Sequence, residues 1–141
     1  MKAIRHNRVV EWQTHRPGAD YDVLAPDGSE IRLLVQVRGG SMVHCTLPPG
    51  QVTQAMQHRT VEEVWWCTAG TGQLWRCDLA TATEEVVELE AGVAVSIPLG
   101  TAFQFRARGA QPLELVMTTM PPWPGPAEAV PVAGAWPAHL T

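Results

Sequence analysis

Apolar and polar residues alternate along much of this chain in short runs. That two-residue period belongs to strands with one buried face. The clearest run is VEEVWWCT at 61–68, where Val61, Glu63, Trp65 and Cys67 share one face and Glu62, Val64, Trp66 and Thr68 the other. Comparable runs predict strands over 31–37, 41–47, 52–58, 73–79, 84–89, 93–97, 102–107 and 113–120, with VVEW at 9–12 as an N-terminal edge strand. Between them stand residues that turn a chain: PDG at 26–28, RGG at 38–40, PPG at 48–50, AGTG at 69–72 and PLG at 98–100. No segment sustains an apolar period of 3.6, so little helix is expected, and nothing repeats at a solenoid period. Closely spaced strands with such turns read as an all-β sandwich or barrel.

The last stretch, PPWPGPAEAVPVAGAWPAHLT at 121–141, breaks the pattern. It holds six of the chain's twelve prolines, and proline removes a ladder donor, so no central strand runs here. It is too apolar for a solvated linker. The expectation is an extended tail packed on the barrel or on a neighbouring subunit, anchored by Trp123 and Trp136. The chain's 141 residues, 45% hydrophobic, suit one core, and the expected division is a single domain over 1–141 with a barrel at about 31–120 and a tail at 121–141.

Charge narrows the function classes. A net charge of −4 with only 17% charged residues lacks the basic patch that nucleic acid or an anionic membrane would need. No apolar run approaches spanning length, and the N-terminus has no uninterrupted apolar leader, so a cytoplasmic protein is expected. Cys45, Cys67 and Cys77 are odd in number and without CxxC spacing. They read as buried small residues rather than a disulfide framework.

Two segments carry candidate chemistry. In GQVTQAMQHRTVEEVWWCTAG at 50–70, parity puts Gln54, Met56 and His58 on one face, and the next strand brings Glu63, Trp65 and Cys67 to the same interior. In GVAVSIPLGTAFQFRA at 92–107, Phe103, Phe105 and Ala107 share the inner face. His44 falls on the face opposite Val43, Cys45 and Leu47 and is read as outward.

These segments resemble the cupin superfamily, specifically its small single-domain (RmlC-like) members. Gly50, His58, Glu63 and Gly70 fall on the spacing of the first cupin motif, and Gly92, Pro98 and Gly100 on that of the second. The resemblance implies a double-stranded β-helix, or jelly-roll, barrel. It also implies a cation held by three histidines and one glutamate. Here Met56 stands at the first histidine position, Phe103 at the last, and Ala107 replaces the asparagine. His58 and Glu63 are the two usual ligands left, and two donors do not hold a divalent metal tightly. The motifs are degenerate, so no cofactor is expected. If a divalent metal is present, His58 and Glu63 are its ligands.

The expected function is small-molecule binding. Gln54, Met56, Trp65, Cys67, Phe103 and Phe105 would form the substrate contact, and His58 and Glu63 the catalytic acid/base pair of an isomerase-like or cyclase-like enzyme. A bland reading stands beside it, in which His58 and Glu63 are a structural pair and the aromatic residues fill a narrow barrel. Two alternatives remain: a non-catalytic, sensory ligand-binding barrel, and a divergent metal-dependent oxygenase. The edge strand and the Pro/Trp tail predict a homodimer.

Overall fold

The computed structural model describes residues 11–141. They form β1 (Val23–Leu24), β2 (Glu30–Val37), β3 (Gly40–Leu47), β4 (Met56–His58), β5 (Glu62–Ala69), β6 (Thr71–Asp78), β7 (Glu84–Glu90), β8 (Ala94–Ile97), β9 (Thr101–Arg108), β10 (Leu113–Met120) and β11 (Ala129–Pro131), with one 3-10 turn at Pro126–Glu128. Two antiparallel sheets face each other. One runs β1-β2-β3-β10-β5-β8, the other β11-β4-β9-β6-β7. This is the all-β jelly roll expected, with the two sheets packed rather than hydrogen-bonded into a closed ring.

Alternation explains the core. On β5 the buried positions are Glu63, Trp65 and Cys67, and the exposed ones are Glu62, Val64, Trp66 and Thr68. Strand β10 lies between β3 and β5, setting Leu115 opposite Cys45 on one side and Cys67 on the other. From the second sheet Leu74 and Phe105 meet these residues, and all are removed from solvent. The burial of apolar area in this layer is the main term holding the sheets together.

Two elements depart from the pattern. The run at 52–58 forms a strand only over Met56–His58. Val52 makes isolated bridges to Arg106 and His139, and the Gln54 amide donates to the Asp27 carbonyl at 3.0 Å rather than to β9. With the ladder left at that point, Thr53, Ala55 and Met56 are buried and Gln54 is exposed. At the other end, Val9 and Val10 of the expected edge strand lie outside the described residues, and Glu11 and Trp12 belong to no strand. The edge is instead β1, and the segment before it is tethered to β2 by side chains. Gln13 Oε1 accepts from the Gln36 amide at 2.9 Å, and Asp22 Oδ2 from the Leu33 amide at 2.8 Å.

The tail packs as expected and does more. It adds β11 to the edge of the second sheet, pairing Ala129 with His58. It then crosses the outer side of β9, where the Gln104 amide donates to the Thr53 and Trp136 carbonyls and accepts from the Ala135 and Trp136 amides. That covering buries Ala102 and Gln104 on the outward face, so β9 is buried on both sides. Trp136 takes the Arg106 guanidinium 4.1 Å above its ring.

Candidate functional site

His58 ends β4 and Glu63 lies early on β5, so the turn between them sets their approach. Glu128 of the tail fixes that turn. Its carboxylate accepts from the Thr60 hydroxyl at 2.7 Å, the Val61 amide at 2.8 Å and the Thr60 amide. The Glu128 carbonyl accepts from the Arg59 amide. Burial pushes the Glu128 carboxyl up, but these hydrogen bonds, with the charge of His58, hold it below the usual carboxylate range.

The resulting pair is buried, with 6% of the His58 side chain and 8% of the Glu63 side chain exposed. His58 Nδ1 lies 3.4 Å from Glu63 Oε2 but off the line of a hydrogen bond, and it has no partner among the described residues. Glu63 Oε1 accepts from the Trp65 indole at 2.7 Å. Burial moves both groups toward neutrality. It raises the Glu63 carboxyl to about 7, against the Trp65 hydrogen bond and with help from the negative charge of Asp27. It lowers His58, against the pull of Glu128. The His58 ring is held edge-on between Phe103 and Trp123, at 5.1 and 5.2 Å between centroids.

His58 faces a cavity of about 690 Å³. Leu24, Ile31, Leu33, Val43 and Met117 form one wall, Met56 and Phe103 the other, and the tail closes a side with Trp123 and Ala129. The volume falls in the range of small-molecule sites. Polar groups are few. Ser41 and Thr119 are hydrogen-bonded to each other, with Ser41 Oγ also accepting from the Trp123 amide at 3.0 Å. Asp27 enters from the turn before β2, buried, with Oδ1 held by the Ser29 amide and hydroxyl.

The residues singled out from sequence divide into three groups. Met56, His58 and Phe103 line the cavity. Trp65, Cys67 and Phe105 lie in the packed core beneath it, where Trp65 still reaches Glu63 through its indole. Cys67 sits with its thiol pushed up by burial and directed to the Ala69 carbonyl. Gln54 departs from the expectation. It is exposed beside Gln104 and Trp136, on the far side of the sheet, because the strand alternation fails before Met56. His44 is outward, 3.1 Å from Glu114. Asp27 was not anticipated. Its PDG context reads as a turn, and the D-x-S spacing that lets Ser29 cap the carboxylate is the signal that marks it. Trp123 and Glu128 were read as tail, not as site.

The donor set does not fit the cupin metal. Among the described residues no three His, Cys, Asp or Glu side chains gather as ligands. Phe103 offers no lone pair, and the pair's own atoms face each other rather than a common point.

A family model described as a cupin domain matches residues 43–119. No curated protein matches. Among solved structures, a Bacillus halodurans protein superposes with a TM-score of 0.61 at 20% identity, over 66% of this chain and 70% of that one. KdgF from Halomonas sp. gives 0.60 at 17% identity, over 72% and 87%. CapF, the capsular polysaccharide assembling protein of Staphylococcus aureus, gives 0.68 at 14% identity over 83% of this chain, which spans 34% of the CapF chain. At these identities the likeness is one of fold.

Proposed function

The chain belongs to the cupin domain family, and from that premise we propose that its cavity binds a small, mostly apolar molecule and that the His58–Glu63 pair moves a proton on it. The observation that carries this reading is an imidazole in the cavity wall with a buried carboxyl 3.4 Å behind it, where burial lowers His58 and pushes Glu63 up to about 7. His58 Nε2, the nitrogen not turned to Glu63, takes a proton from the ligand. Glu63 steadies the imidazolium that forms. Return of the proton at a neighbouring position completes an isomerisation, with no oxidant needed. The two donors His58 and Glu63 leave this chemistry without the metal centre of the usual cupin motif.

The test uses a cyclic ketone in D2O, because abstraction next to the carbonyl exchanges hydrogen for deuterium. The unmodified protein should bind the ketone and catalyse exchange, read by mass spectrometry. His58→Ala should bind and not exchange, and Glu63→Gln should exchange more slowly. Binding without exchange in the unmodified protein favours the non-catalytic barrel, a reading supported by the misaligned 3.4 Å approach of the pair. One equivalent of metal per chain, lost in His58→Ala, would remove the metal-free part of the proposal. The reading also includes a homodimer. Trp12 is 90% exposed and Val37 75% exposed, by the end of β2 where Gln13 meets Gln36, and light scattering on the full chain decides it.

A further inference from the structure

The polar equipment of the cavity is one-signed. Besides His58, the one ionisable side chain on its wall is Asp27, and no lysine or arginine lines it among the described residues. The nearby arginines are engaged elsewhere. Arg32 donates to the Gly18 and Ala19 carbonyls and to Thr46, Arg59 to the Ala127 carbonyl, and Arg106 to Gln73 while stacking on Trp136. Glu63, behind His58, adds a second acidic group, close enough that the charge of Asp27 raises it.

Asp27 itself is 8% exposed. Ser29 occupies Oδ1 with two hydrogen bonds, at 2.9 and 2.7 Å. Oδ2 makes no hydrogen bond among the described residues, nor is it among the fully buried unpartnered atoms, which are His44 Nδ1 and His58 Nδ1. A carboxylate this buried is costly unless a cation or donor meets its free oxygen, and without one burial raises the Asp27 carboxyl toward its protonated form. The walls around it, Leu24, Ile31 and Val43, offer neither.

Resting on the reading of this cavity as a small-molecule site, we infer that its ligand is an apolar amine, whose ammonium group pairs with Asp27 while its hydrocarbon body lies against Ile31, Met56 and Phe103. The class follows from charge. An ammonium supplies the cation that Asp27 lacks and can donate to the free oxygen. A ligand carboxylate would bring a third acidic group beside Asp27 and Glu63 with no lysine or arginine among the described residues to receive it, and is rejected by repulsion and desolvation. A neutral alcohol can donate one hydrogen bond and falls between the two.

The experiment is a calorimetric titration of the full chain with cyclohexylmethylamine, cyclohexylmethanol and cyclohexanecarboxylate, which share one hydrocarbon body. The amine should bind roughly tenfold or more tightly than the alcohol, the usual margin for a charged over a neutral hydrogen-bonded pair, and the carboxylate should be weakest. Asp27→Asn, whose amide oxygen still accepts from Ser29, should bring the amine down to the alcohol. Glu63→Gln should leave the amine ahead. Equal affinity of amine and alcohol in the unmodified protein overturns the inference while leaving the cavity reading intact. Preference for the carboxylate also overturns it. So does loss of the preference in Glu63→Gln but not in Asp27→Asn. If no member binds, both readings fall. The series on the unmodified protein decides the matter even if Asp27→Asn proves unstable.

Discussion

Burial acts in opposite directions on the two members of the His58–Glu63 pair, and the signs make a testable pH profile. The Glu63 carboxyl moves from 4.5 to about 7 in the folded protein. Between those values the folded chain still holds a proton that the unfolded chain has released, so stability falls as pH rises through the window. The whole effect is about 3 kcal/mol. Asp27, also raised by burial, has the same sign from 3.8 upward. His58 opposes them, because its depressed folded value means that the unfolded chain takes its proton first as pH drops below 6.5. Glu128, held low, adds stability above 4.5 that is lost as pH falls through its folded value, and so acts on the acid side of the window. Urea melts should therefore show stability declining from pH 4.5 to about 7, and Glu63→Gln should flatten that decline. An unchanged slope in the variant would mean that Glu63 titrates normally. His58 and Glu63 were legible in the sequence because motif spacing fixes them on successive strands, one in each of the facing sheets. Asp27 was not, since one turn aspartate resembles any other until its carboxyl is seen buried. Gln54 was misplaced because parity counting assumes an unbroken strand, and the bond from its own amide to the Asp27 carbonyl breaks it.

At the scale of elements, short connections decide where the strands deliver these side chains. The chain crosses from β5 in one sheet to β6 in the other through Gly70, at φ 78°, where an added Cβ would run into the Pro112 carbonyl oxygen, and Gly72 lies similarly close to the Arg106 carbonyl oxygen. Neither obstacle is a side chain that can swing away. Gly70→Ala should destabilise the chain by about 3 kcal/mol, from strained φ and backbone displacement together, as read by chemical denaturation. The β4–β5 turn depends instead on a remote residue. Glu128→Gln keeps the shape but exchanges charged acceptors for a neutral one at Thr60 and Val61. A loss of about 1–3 kcal/mol is expected, with faster hydrogen exchange at the Thr60 and Val61 amides. Unchanged exchange there would show that the turn holds without the tail. The strands themselves were largely readable. The run at 113–120 is β10 to the residue, and most others shift by one or two at an end. What could not be read is pairing across distance: that the proline-rich tail contributes β11, or that its passage over β9 buries Gln104 on a face that alternation marks as outward.

For the molecule as a whole, the two sheets are filled between β5, β9 and β10 and part toward β1, β2 and β4, and the cavity lies where they part. Nothing in the sheets alone closes that end. The tail does, through Trp123 against His58, Ala129 on the wall and Glu128 on the turn. The same tail then braces the outer side of β9 through Trp136, so removing it affects site and scaffold at once. A chain ending at Met120 should therefore lose ligand affinity and melt at lower temperature, while an environment-sensitive dye binds the uncovered Phe103 and Met56. Trp123→Ala separates the two effects. It leaves β11, Glu128 and Trp136 in place and removes one side of the cavity and one of the two rings that hold His58 edge-on. Cavity binding should weaken several-fold with the melting temperature lowered far less than by truncation, since a half-buried ring contributes less than a strand and a bracing segment. If truncation and Trp123→Ala both bind ligand as tightly as the full chain, the tail is scaffold alone, and the site must be closed from the side of β1 and the segment that precedes it.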